Sequence, residues 1–447
     1  MLKKLTALSL SLMISQTSFA IVKNTMFGDV YNRNDHSTRD LILINNEHNK
    51  WELINPVEDS SKPVIYTQAT CSGNNCISLG YHQKDRDRSP FMLTTQDGGI
   101  NWKQIKYING IHTKVSYLQG MFEHAVCYNN RCFLSGFIKD VAGNDQSYSY
   151  IISEDGGSTW SIPNTQNDMH SYSALPRLDL YCIQNQCVSR VEERTNYNNV
   201  LVSQDGGNSW KLVKINLPGS KQTGIMDLKA SNHQFVAIGY YKNKNDEFHP
   251  LIMVSQDGGS TWQVKLDDIK IDNHRISSLE KLTCYKNVCF AASDYGKQLV
   301  LLLSQDEGNS WQLLSTLDKI PDQALSMTLK KSICTDKSCS VIGRFHLSRG
   351  TSPLLATVNL NESDNTYHLL SNKLDSDIEL QDIHCSNSSC NIAGNFAHYT
   401  HSGSNKDDSP IMLESNDMMM SWNDISDKNY MFKRGDLAQI DSMALSN

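Results

Sequence analysis

The stretch VSQDGGSTW at residues 254–262 decides the fold, because the chain keeps repeating it. Close copies read TTQDGGINW (94–102), ISEDGGSTW (152–160), VSQDGGNSW (202–210) and LSQDEGNSW (303–311), and a weaker one, ESNDMMMSW, ends at Trp422. Two fainter versions, LINNEHNKW and VNLNESDNTY, end at Trp51 and Tyr367. All seven Trp of the chain occupy the same place in this phrase. Self-similarity of this kind marks a repeat architecture. In the four fullest copies an apolar run leads into Ser or Thr, Asp, two Gly and Trp, which reads as a strand entering a tight turn and leaving as another strand. The Asp carboxylate can accept hydrogen bonds from the turn's own N–H groups. Gly98, Gly156, Gly206 and Gly258 supply the positive φ such a turn needs. The Trp folds back as an apolar wedge whose indole N–H is free to reach an acceptor.

These residues resemble the Asp-box, or BNR, repeat of sialidase-like proteins, whose pattern is S-x-D-x-G-x-[ST]-W. The resemblance implies an all-β fold, a β-propeller, in which the box is a structural turn on the rim and remote from any active site. Asp97, Asp155, Asp205, Asp257 and Asp306, with Trp102, Trp160, Trp210, Trp262 and Trp311, are therefore expected to build the fold. A carboxylate repeated once per unit does the same job each time.

The twelve Cys form six pairs of identical spacing: Cys71/Cys76, Cys127/Cys132, Cys182/Cys187, Cys284/Cys289, Cys334/Cys339 and Cys385/Cys390. Turn residues such as SGNN and YNNR separate the members of each pair, so two strands of a hairpin would set them side by side within disulfide reach. Zinc half-sites are the competing reading, but each pair belongs to its own unit, far from the others. The expectation is six hairpin staples.

Together the two signals define a unit. Strand A ends at the first Cys. Strand B starts at the second, often with Gly four residues later (Gly80, Gly136, Gly343, Gly394). A polar loop, apolar strand C, the box turn and strand D follow, which makes a four-stranded antiparallel blade. Units start near residues 62, 112, 174, 223, 275, 324 and 375. The fourth has Ala230 and Phe235 in the Cys places and Gly239 in the Gly place, while the sixth keeps its Cys pair and has lost its box. Residues 21–55 supply strands B, C and D without an A, and residues 436–447 resemble a strand A with nothing after it. The sequence thus predicts one propeller domain, 21–447, with eight blades: seven contiguous and one composite of 21–55 with 436–447. Pairing the last strand with the first removes exposed edges. A ring of seven blades is the alternative.

The formal net charge of −7 argues against a nucleic-acid binder, since nothing supplies the basic field that phosphates require. Residues 1–20, MLKKLTALSLSLMISQTSFA, read as a signal peptide: a Lys3–Lys4 n-region, an apolar h-region and a small-x-small site ending at Ala20. A membrane anchor is the competing reading, though the apolar run is short for a span. The mature chain is expected to be exported, periplasmic or secreted, monomeric, without a further transmembrane segment and without a cofactor.

Function on a rigid scaffold usually lives in variable loops. The A–B and C–D turns, carrying the disulfides and boxes, should share one face of the disc, and the dissimilar B–C loops with the D–A connections the other, around the mouth of the central channel. Candidate binding residues on that loop face are Arg88, Arg194, Arg344, His346, Tyr81, Tyr240, Tyr241 and Tyr399. His398, His401 and Asp407 or Asp408 are read as surface residues rather than a metal site, and the alternating Asp85-Arg86-Asp87-Arg88 as solvated or mutually paired. Arg434-Gly435-Asp436, the tripeptide that integrins read, is too short a match to carry adhesion. The sialidase resemblance implies three Arg, a Tyr/Glu nucleophile pair and an acid/base Asp. Its [FY]-R-I-P motif does not occur, and Leu175-Pro176-Arg177-Leu178 has the wrong order. No catalytic residue is assigned. The expected function is a non-catalytic propeller presenting its loop face to a glycan or protein partner. A sialidase-like or other glycoside hydrolase and an envelope-assembly scaffold are the alternatives.

Overall fold

The computed structural model describes residues 24–444 apart from stretches between strands, the longest being 54–63, 163–179, 192–198, 371–377, 400–405 and 425–435. Residues 1–20, read above as a signal peptide, lie outside the described residues. The fold is an all-β propeller with almost no helix, such as the short 3-10 turn Val115–Tyr117. Blade 1 runs Val64–Ser72 (A), Asn75–Lys84 (B), Asp87–Thr95 (C) and Lys103–Gln104 (D), hydrogen-bonded in that order and antiparallel throughout. The same A-B-C-D meander recurs in blade 4 (Ser220–Ala230, Phe235–Asn243, Phe248–Ser255, Gln263–Leu266), as it does in blades 3, 5 and 7.

Two blades depart from four strands. Blade 2 (Gln119–Tyr128, Arg131–Asp140, Gln146–Ser153) has three, its fourth reduced to a bridge between Ile152 and Ser161. Blade 6 (Ala324–Cys334, Ser338–Leu347, Thr351–Asn359, Thr366–Leu369) gains a fifth, because Ser315–Thr316 leaving blade 5 pairs parallel to its strand D.

Seven blades each fold from one contiguous stretch. A further sheet joins the termini: Asp436–Ala444 pairs with Asn24–Asn32, which pairs with Ser37–Asn45 and then Trp51–Leu53. The blade count is thus seven, which fits the seven-blade alternative and corrects the expected eight; the sheet of the two termini stands beside these contiguous blades. The strand A segments touch in a closed cycle, each lying against the next, and Asp436–Ala444 lies between those of blades 7 and 1. They surround the centre.

The box turn explains its own sequence. In blade 2, Ser153 Oγ donates to Asp155 Oδ1 (2.8 Å) and accepts from Gly157 N–H (2.8 Å). Asp155 then accepts Thr159 N–H at Oδ1 (2.9 Å) and Thr159 Oγ1 at Oδ2 (2.7 Å), and Trp160 Nε1 donates to Gly157 O (2.9 Å). Every recurring letter of the phrase has a bond. The two glycines sit at φ +70 and +92, the left-handed side. Gly207, in the second of these places, also lies so close to the preceding blade that a Cβ would come within 2.4 Å of Phe133. The Trp fills the same seam: Trp160 packs with blade 1 residues such as Ile77 and Met92, and Trp210 with Phe133 and Tyr150 of blade 2. Tyr367 takes the Trp role in blade 6, buried among Leu299, Leu301 and Phe345. The core is therefore a series of seams between neighbouring blades.

The strand B glycines have a different cause. Opposite Gly80, Gly136, Gly239, Gly343 and Gly394, strand A carries a β-bulge, as the register shift just beyond each pair records. The bulge drives a strand A carbonyl into the place of a side chain: a Cβ on Gly343 would lie 2.1 Å from Thr328 O. The extra residue turns the next side chain toward the following blade. Gln68 exchanges bonds with Ala125 N and O (2.8 and 3.2 Å), and Asp227 accepts Leu282 N–H (2.8 Å).

All six Cys pairs are disulfides across the A–B hairpins, Cys71–Cys76, Cys127–Cys132, Cys182–Cys187, Cys284–Cys289, Cys334–Cys339 and Cys385–Cys390, with Cα–Cα distances of 4.0–4.1 Å. The zinc alternative is thereby excluded. The second member of each pair is also a core residue: Cys76, Cys132, Cys187, Cys289, Cys339 and Cys390 are only 0–1% exposed. The reason is strand position. Strand B lies between A and C, so both its edges are paired, and its first inward residue already meets the neighbouring blade. Cys132 thus joins the apolar seam of Ile77 and Trp160, and Cys289 that of Val236 and Val254. The first members, on strand A, are half-buried, apart from the buried Cys334. Each disulfide is therefore a turn staple and a piece of the seam. In blade 4, Ala230 and Phe235 face each other in the same register, and Phe235 is likewise buried. Its turn is held from outside instead, by Glu307 of blade 5.

Candidate functional site

The two faces of the disc differ in chemistry. On one, the box turn bonds to the A–B turn of its own blade: Gly98 N–H to Asn74 O (2.9 Å), Gly156 to Asn130 (2.7 Å), Gly206 to Asn185 (2.7 Å) and Glu307 to Asn287 (2.8 Å). Neighbouring blades are stitched on this face as well, by Gln96 Nε2 to Asp155 O (2.9 Å), Arg131 to Asn208 Oδ1 (2.6 Å) and Lys286 to Asp336 (2.8 Å). Burial pushes the Asp155 carboxyl up, but the bonds from Thr159 and Ser153 outweigh it and hold the group below the ordinary carboxylate value. The same balance lowers Asp97, Asp205, Asp257, Asp306 and Asp417. A carboxylate saturated with donors and kept ionised has no proton to give, so the boxes offer no general acid.

The opposite face carries the B–C loops, and here the candidate residues stand. In blade 1, Arg88 lies over the Tyr81 ring, 4.7 Å from its centroid, and its Nη1 reaches Met121 Sδ in blade 2 (2.9 Å). Ile65 beside Tyr81 and Phe137 beside Met121 are 40% and 42% exposed. In blade 4, Tyr240 packs edge-on against Phe248 and Tyr241 stacks on His249 at 4.7 Å. In blade 6, Arg344 pairs with Glu379 of blade 7 (3.7 Å) and His346 Nε2 bonds Thr328 Oγ1 (2.7 Å). These are separate pairings in three blades, and Arg88 and Arg344 are held by different partners. Tyr399 is placed by its backbone alone, opposite Lys406. Arg194, His401, Arg434 and Gly435 lie outside the described residues, and the backbone of His398 pairs with that of Asp407.

Two acidic residues escaped the sequence reading. Glu280 precedes strand A of blade 5 (Lys281–Tyr285), its N–H bonded to Ala292 O (3.1 Å), and Asp294 lies on strand B (Val288–Tyr295). Burial, then the charge of Asp294 and a hydrogen bond with it, push the Glu280 carboxyl up to about 7. Such a pair shares one proton near neutrality. The signal was available in one letter: Ser293 stands where five other blades have glycine. In blade 5 the A–B ladder ends at Lys281↔Ala292, one residue short of Ser293.

Between blades 6 and 7, Lys331 reaches Asp382 (2.5 Å) and His384 (2.8 Å), each bond crossing the seam. Burial would raise Asp382, but Lys331 and His384 hold it strongly ionised, while burial and Lys331 lower His384. The cluster neutralises itself. Its place just beyond the bulges makes it another seam contact.

No helix among the described residues is long and apolar enough to cross a membrane. Disulfides in six blades fit an oxidising compartment. Residues 130–340 match the model of the BNR repeat-like domain. No curated protein matches the chain in sequence. Among solved structures it is similar to a phage phi92 endosialidase, at 8% identity over 91% of this chain and 71% of that one, with a TM-score of 0.38. It is similar also to a prolyl endopeptidase (8% identity, 85% of this chain, TM-score 0.49), of which it spans half the length. A third likeness is to an ancestral GH74 enzyme, at 11% identity over 88% of this chain and 64% of that one, with a TM-score of 0.35.

Proposed function

We propose that this β-propeller of BNR repeats is an exported binding module that presents its B–C loop face to a glycan or protein ligand. The observation that carries the reading is the Arg88–Tyr81 stack. Its guanidinium rests on an aromatic face and a thioether, a weak acceptor, with exposed Ile65 and Phe137 on either side. An exposed cation on a rigid aromatic shelf is the composition of a recognition hot spot.

Glycoside hydrolysis is the second reading, favoured by the Glu280–Asp294 pair alone. A carboxyl titrating near neutrality beside a second carboxyl is the ordinary equipment of acid catalysis on sugars. A glycan array with the oxidised protein, each spot read for retained protein and for lost sugar, separates the two. Retention that disappears in Arg88→Ala supports the binding module. Loss of sugar that disappears in Glu280→Gln supports the hydrolase and overturns the first reading.

A further inference from the structure

We infer that the D–A connection between blades 1 and 2 carries a second binding site, for an anionic polysaccharide, separate from the Arg88–Tyr81 stack. The described parts of the connection from strand D of blade 1 to strand A of blade 2, residues 105–111 and 113–118, are fixed from beneath. Ile105, Ile108, Ile111, Val115 and Leu118 are buried in the seam between the two blades. Asn109 N–H donates to Trp160 O (2.7 Å), Asn109 O accepts Ile162 N–H (3.1 Å), and Val115 N–H donates to Lys106 O (3.0 Å). The side chains left outside are of two kinds. Tyr107 and Tyr117, 60% and 61% exposed, are the most exposed large hydrophobic residues among those described. Lys106 and Lys114 flank them, with Lys103 nearby, and none of the three makes an ion pair among the described residues.

Beside this connection lies a groove of about 650 Å³, bounded by Gln104, Tyr107 and Asn109 on one side and by Ser158 and Thr159 of the second box on the other. That volume is in the range of small-molecule sites, about 300–1,000 Å³. Trp102 lies in its floor, 7% exposed, and its indole N–H has no acceptor. In Trp160, Trp210, Trp262 and Trp311 the same N–H is donated to a glycine carbonyl, so the first box differs from its four best copies at this groove.

Each feature selects the same ligand class. Rigid exposed tyrosine faces stack on the C–H faces of sugar rings. The amide side chains of Gln104 and Asn109 suit hydroxyl groups. Three unpaired ammonium groups on a chain of net charge −7 call for carboxylate or sulfate on the polymer.

The test is calorimetric titration of the oxidised protein with a hexamer of galacturonate, and with maltohexaose as the neutral control. The acidic hexamer should bind and weaken as salt is raised, and the neutral one should not bind. Tyr107→Ala with Tyr117→Ala should weaken binding about tenfold or more. These residues are exposed, so an unchanged melting temperature shows that the variant is folded. Replacing Lys103, Lys106 and Lys114 by Gln should remove most of the salt dependence, and Arg88→Ala on the loop face should leave the affinity unaltered. Absence of binding at about 10 mM, equal binding of the neutral hexamer, or wild-type affinity in the tyrosine variant would each overturn the proposal. None of those outcomes bears on the loop-face reading, which rests on Arg88.

Discussion

Asp155 shows how much a single side chain is asked to do, since both its oxygens close the turn. Replacing it by Ala leaves two donors of Thr159 and the hydroxyl of Ser153 without their acceptor. The expected loss is about 1–2 kcal/mol, less in Asp155→Asn, measured as the shift of the urea midpoint. The box carboxylates also set an acid limit. Their folded values lie below the unfolded one of about 3.9, so their stabilisation is full at neutral pH and is lost as pH falls below about 4. The drop in urea midpoint on going below pH 4 should be shallower in Asp155→Ala than in wild type. Glu280 works in the opposite sense. Its folded value is raised to about 7, so its contribution is present below the unfolded value of about 4.3 and is lost as pH rises through 7. Asp294→Asn should bring the Glu280 titration, followed by carboxyl NMR, back toward the ordinary range. An unmoved titration would show that burial alone raises it. One residue also corrects an impression left by the sequence. ESNDMMMSW looks eroded, yet Asp417 keeps its bonds to Ser415 and Ser421 while Met419 adopts φ +73 in the glycine place. The turn is specified by Ser, Asp and Ser, and glycine lowers its cost.

At the scale of the element, the blade is a hairpin with a bulge and a latched turn. The bulge requires the strand B glycine. Gly343→Ala would place a methyl group 2.1 Å from Thr328 O, so the variant should lose about 3 kcal/mol or slip its A–B register. Ser293→Gly, just beyond the last A–B pair of blade 5, should cost far less, and the pair can be compared by thermal melting. The latch has two forms. Six blades staple the A–B turn with a disulfide, each contributing roughly 2 kcal/mol in the chain-entropy picture. Blade 4 uses Glu307, which accepts from Ser231 Oγ and His233 N–H (both 2.9 Å) and pairs with His233 Nδ1 (2.8 Å). Burial raises that carboxyl, and the His233 and Ser231 bonds outweigh it and lower it. Glu307→Ala should speed amide exchange in residues 231–234 more than elsewhere on the box face. Equal exchange would show that the turn holds itself.

The whole molecule is a cycle, and a cycle has one weak joint. Here it is the sheet in which Asp436–Ala444 pairs with Asn24–Asn32, register-matched from Thr25↔Ala444 to Asn32↔Asp436 with one shift beyond Phe27. That shift stands beside Gly28, so the composite sheet repeats the glycine-and-bulge device of the contiguous blades. Deleting residues 436–447 removes strand A of this sheet, exposes the strand edge of Asn24–Asn32 and uncovers the strand A of blades 7 and 1. The truncated chain should melt well below the full one, lose a single cooperative transition and aggregate through the open edge. An unchanged melting curve would mean that the seven contiguous blades are stable without the joint.

Sequence alone determined whatever recurs. The box, the Cys spacing and the strand B glycine are local devices, written at fixed offsets because a turn, a hairpin staple and a bulge each involve residues a few positions apart. They were legible down to the Ala230–Phe235 pair that stands in for a disulfide. What only the tertiary structure decided is what passes between blades: the Trp wedging into the preceding seam, the burial of the strand B cysteines there, Glu307 clasping a neighbour's turn, the Glu280–Asp294 pair and the stack of Arg88 on Tyr81 with Met121 across the seam. Those contacts join residues that no short-range pattern relates, and their partners are set by blade rotation and strand twist. The partners of Arg88 and Arg344 across the seams were for that reason not legible in the sequence.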